Sequence, residues 1–144
     1  MRTRIQGLSQ PNQSKLLVEG LYRARVVRFE PAGHAAKPCR RATFLILEPA
    51  AYSGLHIRTR LYCHDAALWK LRWFLSDFGY DAELMAAEEL DDRRVVGLEG
   101  VIRLGYWGSD GHRRLDVEGF AATERWPEIS QETQASGTKA KARA

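Results

Sequence analysis

The stretch "LHIRTRLYCHDAALWKLRWFLSDFG", Leu55 to Gly79, changes its hydrophobic period halfway along, and that change decides the fold. Up to Tyr62 it alternates. Leu55, Ile57, Thr59 and Leu61 share one face of a strand, and His56, Arg58, Arg60 and Tyr62 share the other, because successive strand side chains point to opposite sides. From Leu68 the apolar residues recur at intervals of three and four, and Leu68, Leu71, Phe74, Leu75 and Phe78 form one arc of a helix. Asp65 is placed to cap that helix, and Gly79 to end it in a left-handed conformation. A strand with a cationic face therefore runs directly into an amphipathic helix.

Two strands precede this unit and two follow it. "GLYRARVVRF", Gly20 to Phe29, mixes β-branched and aromatic residues with arginines, as a strand with one solvated face does. Pro31, Gly33 and Pro38 make Glu30 to Pro38 a loop, and "CRRATFLILE" resumes as a strand whose far half is expected to be buried on both sides. After the helix, Asp81 caps a short acidic second helix running to Leu90. "VVGLEGVIRLGYW" and "HRRLDVEGFAA" then read as two strands joined by a glycine-bounded turn. The first 17 residues read as a partly flexible extension, residues 18–126 as the domain, and 127–144, small and polar without periodicity, as a disordered tail.

A chain of 144 residues has room for one such domain. Its longest apolar runs fall far short of the roughly 20 residues that span a bilayer, and no apolar segment with a cleavage site follows the charged start. A cytoplasmic protein without membrane contact is expected, with Cys39 and Cys63 as reduced thiols. The net charge of +4 is modest, but it is unevenly spread. Lys15 to Arg60 holds nine basic residues against three acidic ones, whereas Asp77 to Asp92 holds seven acids and no base. The first region would attract a polyanion and the second would repel one.

Three strands, a helical segment and two strands make a mainly β protein with the element order of the OB-fold, a five-stranded, partly open β-barrel that binds oligonucleotides or oligosaccharides. The segments "VEGLYRARVVRFEP", "FLILEPAAYSGLHI" and "LWKLRWFLSDFGYD" carry a Gly-x-Tyr opening strand, a Tyr-x-Gly turn into the third strand and a Leu-rich helix ending in Gly. On these motifs the chain resembles the phage-type small single-stranded-DNA-binding proteins over about Val18 to Phe120. The resemblance implies low sequence specificity and a place in replication or recombination.

Such a site needs a positive groove for phosphates and exposed rings for bases. Arg58 and Arg60 leave the third strand on one face with His56 and Tyr62, about 7 Å apart from the strand rise. Lys37, Arg40 and Arg41 lie beside the neighbouring strand, and Arg23 and Arg25 share a face of the first, where they would extend the groove or pair with Asp116 or Glu118. At the final hairpin, Tyr106 and Trp107 offer a ring for stacking, and Arg113 and Arg114 a phosphate contact. The tail adds weak attraction through Lys139, Lys141 and Arg143. RNA would be served by the same groups as DNA.

Trp69 and Trp73 lie opposite the main apolar arc of the helix. They need a cover from the second helix, through Leu84, Met85 or Leu90, from the N-terminal segment, or from another molecule. A homo-oligomer there would lengthen the binding track, and a protein partner would make the domain an adaptor anchored on the two indoles. Other chemistries fit poorly. The acidic second helix would be driven from a DNA groove. His34, Cys39, Cys63 and His64 lack the Cys-x-x-Cys spacing of a zinc site. No acid-base constellation or phosphate loop points to an enzyme, and no cofactor is implied.

Overall fold

The computed structural model describes residues 2–5, 16–34, 36–108, 111 and 113–130. Five strands, β1 (Gly20–His34), β2 (Lys37–Glu48), β3 (His56–Tyr62), β4 (Glu99–Trp107) and β5 (Arg114–Ala122), form one antiparallel sheet in the order β3-β2-β1-β4-β5. Between β3 and β4 lie helices α1 (Leu68–Asp77), α2 (Ala82–Ala86) and α3 (Asp92–Val95). The fold is thus mainly β with the helical insertion where the change of period placed it. The sheet is not closed into the expected partly open barrel: no backbone ladder joins β3 to β5 among the described residues, and both remain edge strands.

The sheet is nevertheless curled. Three irregularities in the ladders set an extra residue into one strand: Leu47 in β2, Val27 in β1 and Glu118 in β5. Such bulges bend a strand and raise its twist. The one at Val27 also resets the alternation, so the buried residues of β1 run Tyr22, Ala24, Val26 and then Phe29, with Val27 and Arg28 exposed. α1 packs into the curl. Its Leu71, Phe74 and Leu75, with Phe78 just beyond, are buried, and Phe74 and Phe78 join Phe29, Phe44 and Phe120 in one aromatic cluster. A Cβ at Gly100 of β4 would stand 2.5 Å from the Phe78 ring, so the helix end approaches the sheet that closely only over glycine.

α1 and one side-chain contact bring the sheet edges together. Thr59 of β3, buried among apolar neighbours, donates from Oγ1 to Asp116 Oδ1 of β5 at 2.7 Å, and the same oxygen accepts from the Val117 N–H at 2.7 Å. Lys70 of α1 donates from Nζ to the Val117 carbonyl at 2.6 Å. Burial pushes the Lys70 ammonium below the usual lysine range, against the opposing pull of Asp116 and Glu118.

Several local expectations are corrected. Glu30 to His34 and Lys37 to Pro38 are strand, where a loop was expected. β1 and β2 continue as a ribbon through Glu30↔Arg41, Pro31↔Arg40, Ala32↔Cys39, Gly33↔Pro38 and His34↔Lys37. The ladder of β1 with β4 ends at Arg25↔Glu99, so Pro31 lies where β1 has one neighbour only, a setting that tolerates a missing N–H. The far half of β2 alternates between buried Phe44 and Ile46 and half-buried Thr43, Leu45 and Leu47. Asp65 does not cap α1 but begins a 3-10 turn, Asp65–Ala67, that leads into it. Gly79 does end the helix at φ +78°, with its N–H on Ser76 and the Tyr80 N–H on Leu75, and Asp81 caps α2 by accepting from Glu83 and Leu84. α2 is one turn long, and α3, capped by Asp91, takes up Val95 from the segment read as the fourth strand.

Residues 126–130 form a helical turn, and the Trp126 indole donates to Glu48. The rest of the tail, with Lys139, Lys141 and Arg143, lies outside the described residues, as does most of the N-terminal extension. No described helix is long and apolar enough to cross a membrane.

If the Thr59–Asp116 bond holds the sheet edges together, Thr59→Val should lower unfolding stability by about 1–3 kcal/mol, the size of a hydrogen bond to a charged acceptor. An unchanged urea midpoint would show that the helix alone sets the curl.

Candidate nucleic-acid interface

β3 alternates as its sequence requires. Ile57, Thr59 and Leu61 turn inward, while His56, Arg58 and Arg60 are exposed and Tyr62 is half-buried. Paired residues share a face of the sheet, so the register Arg41↔Arg60 sets Arg41 beside Arg60 on the outer face, and Thr43↔Arg58 leaves Arg58 next along. Two like charges directly opposite one another are unfavourable unless an anion lies between them.

Across the gap stands the start of β5. Arg41, Arg58, Arg60 and Arg114, with Thr59, Tyr62, Leu115 and Asp116, line an open cavity of about 360 Å³. The third strand and the final hairpin, 50-odd residues apart in sequence, therefore face one cleft. Asp116 is the only carboxylate among its described lining residues, and its Oδ1 accepts from Thr59 and from its own strand. Arg58, Arg60 and Arg114 form no ion pair among the described residues, and Arg41 reaches Glu30 only at 3.9 Å, with its buried Nε lacking a hydrogen-bond partner.

At Leu115 the cleft adjoins an apolar trough that takes in His56, Ile57 and Tyr106. Tyr106 is 41% exposed and carries the Arg113 guanidinium 5.5 Å from its ring centre, a cation–π contact. Trp107, 56% exposed, pairs across the hairpin with Arg114 but lines neither part of the cleft. Adjacent residues point to opposite faces, so exposure of both rings means that this end of the hairpin stands clear of the core. Ser109, Asp110 and His112 of the turn lie outside the described residues.

The remaining cations go elsewhere. Arg23 binds Glu48 at 3.0 Å and Glu99 at 2.8 Å, and Arg25 binds Glu99 at 2.8 Å, in place of the expected Asp116 or Glu118. Arg40 shares a face with inward-pointing Leu61 and holds Asp92 at the start of α3 at 2.9 Å. Lys37 is exposed at the far end of the β1–β2 ribbon, away from the cleft lining. These four residues are not brought into the cleft. Thr59, Leu115 and Asp116, which shape it, were not among the candidates. The signal for them was a threonine amid Leu and Ile on an inward face, which needs a polar partner from another strand.

Trp69 and Trp73 are not covered by α2. They stack on each other at 6.3 Å, with 55% and 38% of their surfaces exposed, and Trp73 also rests edge-on against Phe120 over Gly119 and donates to Asp77. Cys39 and Cys63 are free thiols, and burial pushes the Cys63 thiol up, away from the reactive thiolate.

Arg40→Gln should lower stability by about 1 kcal/mol or less, since its ion pair is only half-buried, and should leave binding of polyphosphate unchanged. A weakened polyphosphate titration would place Arg40 in the cleft after all. No family model matches the chain and no curated protein matches it.

Proposed function

We propose that the protein binds single-stranded nucleic acid, DNA first, with low sequence specificity, through phosphate contacts to Arg41, Arg58, Arg60 and Arg114 and base stacking at Tyr106. The observation that carries this reading is the gathering of four arginines, with one acid among the described lining residues, on an open cleft that adjoins at Leu115 a trough with an exposed ring. Arg58 and Arg60 lie about 7 Å apart along the strand, close to the phosphate repeat of an extended single strand. Stacking on the neighbouring ring is sequence-tolerant, because every base has a π-face. Binding and protection of the strand, with no catalytic step, is the activity this arrangement serves, in the manner of the phage-type single-stranded-DNA-binding proteins that the sequence resembles.

The sheet order also supports an OB-type architecture. A ladder order β3-β2-β1-β4-β5, with β3 and β5 tied by Thr59 and Asp116 and α1 filling the gap, is that of a five-stranded barrel left open at its last seam. Replication or recombination is the setting we infer from the sequence resemblance. A second reading has its own observation: the exposed Trp69–Trp73 stack would anchor a protein partner or a second copy of the chain, as buried aromatic anchors do at interfaces.

Salt separates the two. Arg58→Gln/Arg60→Gln should weaken binding of an oligothymidylate, and should reduce the salt slope of log K by about 1.4 if each arginine meets one phosphate of a single strand. Trp69→Ser should leave both quantities unchanged. Unaltered affinity and slope in the arginine variant, measured by fluorescence titration, would overturn the phosphate assignment.

A further inference from the structure

We propose that the apolar end of the cleft is a compartment for an unpaired base, and that its outer wall is the segment Leu16–Val18, held there by the Tyr22 hydroxyl. This rests on the strand-binding reading and adds to it a second compartment with its own chemistry. Leu16, Leu17 and Val18 enclose this end with Ile57, Tyr106 and Leu115, around about 630 Å³. That lies within the range of about 300–1,000 Å³ in which small organic groups are held.

The wall is fixed from beneath. The Tyr22 hydroxyl donates to the Val18 carbonyl at 2.7 Å and accepts from the Val18 N–H at 3.3 Å, so both backbone groups of one residue are tied to one buried ring. Tyr22 in turn meets Tyr52 edge-on, with ring centres 5.5 Å apart. The core therefore sets where the segment lies, yet leaves Leu16 79% exposed. Apolar surface held in water beside a trough is stabilised when something apolar fills the trough.

Leu115 lines both compartments, and β3 supplies Ile57 to one and Thr59, two positions along the same face, to the next. A ligand filling both must carry a flat, weakly polar group and an anion within about 7 Å of each other, two residues of strand rise. A nucleotide has that form. Tyr106, with Arg113 over its ring, gives the base an aromatic and a guanidinium neighbour. In a duplex the bases are paired inside the stack and cannot enter, so this compartment, and not the arginines, would give the preference for single strands.

The test compares an oligothymidylate with an abasic deoxyribose-phosphate oligomer of equal length on the full chain, on Tyr22→Phe and on Leu16→Ser/Val18→Ser. The unaltered protein should bind the oligothymidylate about tenfold more tightly, the size of one base stack. Both variants should lose most of that difference while binding the abasic strand as before. The double variant changes exposed side chains only, so it decides the matter if Tyr22→Phe loosens the core. Equal affinity of the unaltered protein for the two oligomers would overturn the compartment and leave the arginine reading standing. A full preference kept in the double variant would overturn the role of the wall. Binding of neither oligomer would overturn strand binding itself, and this inference with it.

Discussion

A sheet ordered β3-β2-β1-β4-β5 has its two edge strands as far apart in the ladder as five strands allow, and the cleft exists only because the edges are bent back toward each other. The contact that records this is the hydrogen bond from Thr59 to Asp116. The three bulges supply the bend, α1 fills the space beneath with Leu71, Phe74, Leu75 and Phe78, and Lys70 reaches from the helix to the β5 backbone. Without that closure the arginines of β3 and of β5 would face separate regions of solvent. With it, they share one.

The cleft keeps a positive excess. Asp116 is the one carboxylate among its described lining residues, and it stands against four arginines. Of the other basic residues, Arg23 and Arg25 of β1 are matched to Glu48 and Glu99, and Arg40 on the inner face of β2 to Asp92, while Arg28 of β1 is exposed without an ion pair among the described residues. The acidic run between Asp77 and Asp92 is likewise taken up in part by Arg40 and Arg94. Pairing thus sorts the basic residues into a structural group and a group left facing solvent together. Arg41 opposite Arg60 is a repulsive pair, and a phosphate between them would turn it into an attractive triad.

Much of this was legible in the sequence because it depends on period. The alternation from Leu55 to Tyr62, the change to helical spacing after Asp65, the left-handed stop at Gly79 and the cap at Asp81 are local signals, and each meets its element in the fold. What depended on distant partners was not. Pro31 reads as a strand breaker unless it is known that β4 leaves β1 at Arg25. Whether Arg23 is a ligand or half of an ion pair depends on Glu99, 76 positions away. The cover expected for Trp73 was the second helix, the N-terminal segment or another molecule, whereas Phe120 and Gly119 of β5 supply part of it. The trough beside Leu16 to Val18 had no pattern to announce it, since three apolar residues ahead of a strand look like any fraying lead-in.

If Arg41, Arg58, Arg60 and Arg114 act together on one ligand, arginine side-chain NMR during titration with an oligothymidylate will register it at each of them. The Nε–H resonances of Arg41, Arg58, Arg60 and Arg114 should shift together and saturate with one dissociation constant, while those of Arg23, Arg25 and Arg40 stay in place. Shifts spread evenly over all the arginines, or confined to the paired ones, would contradict the account.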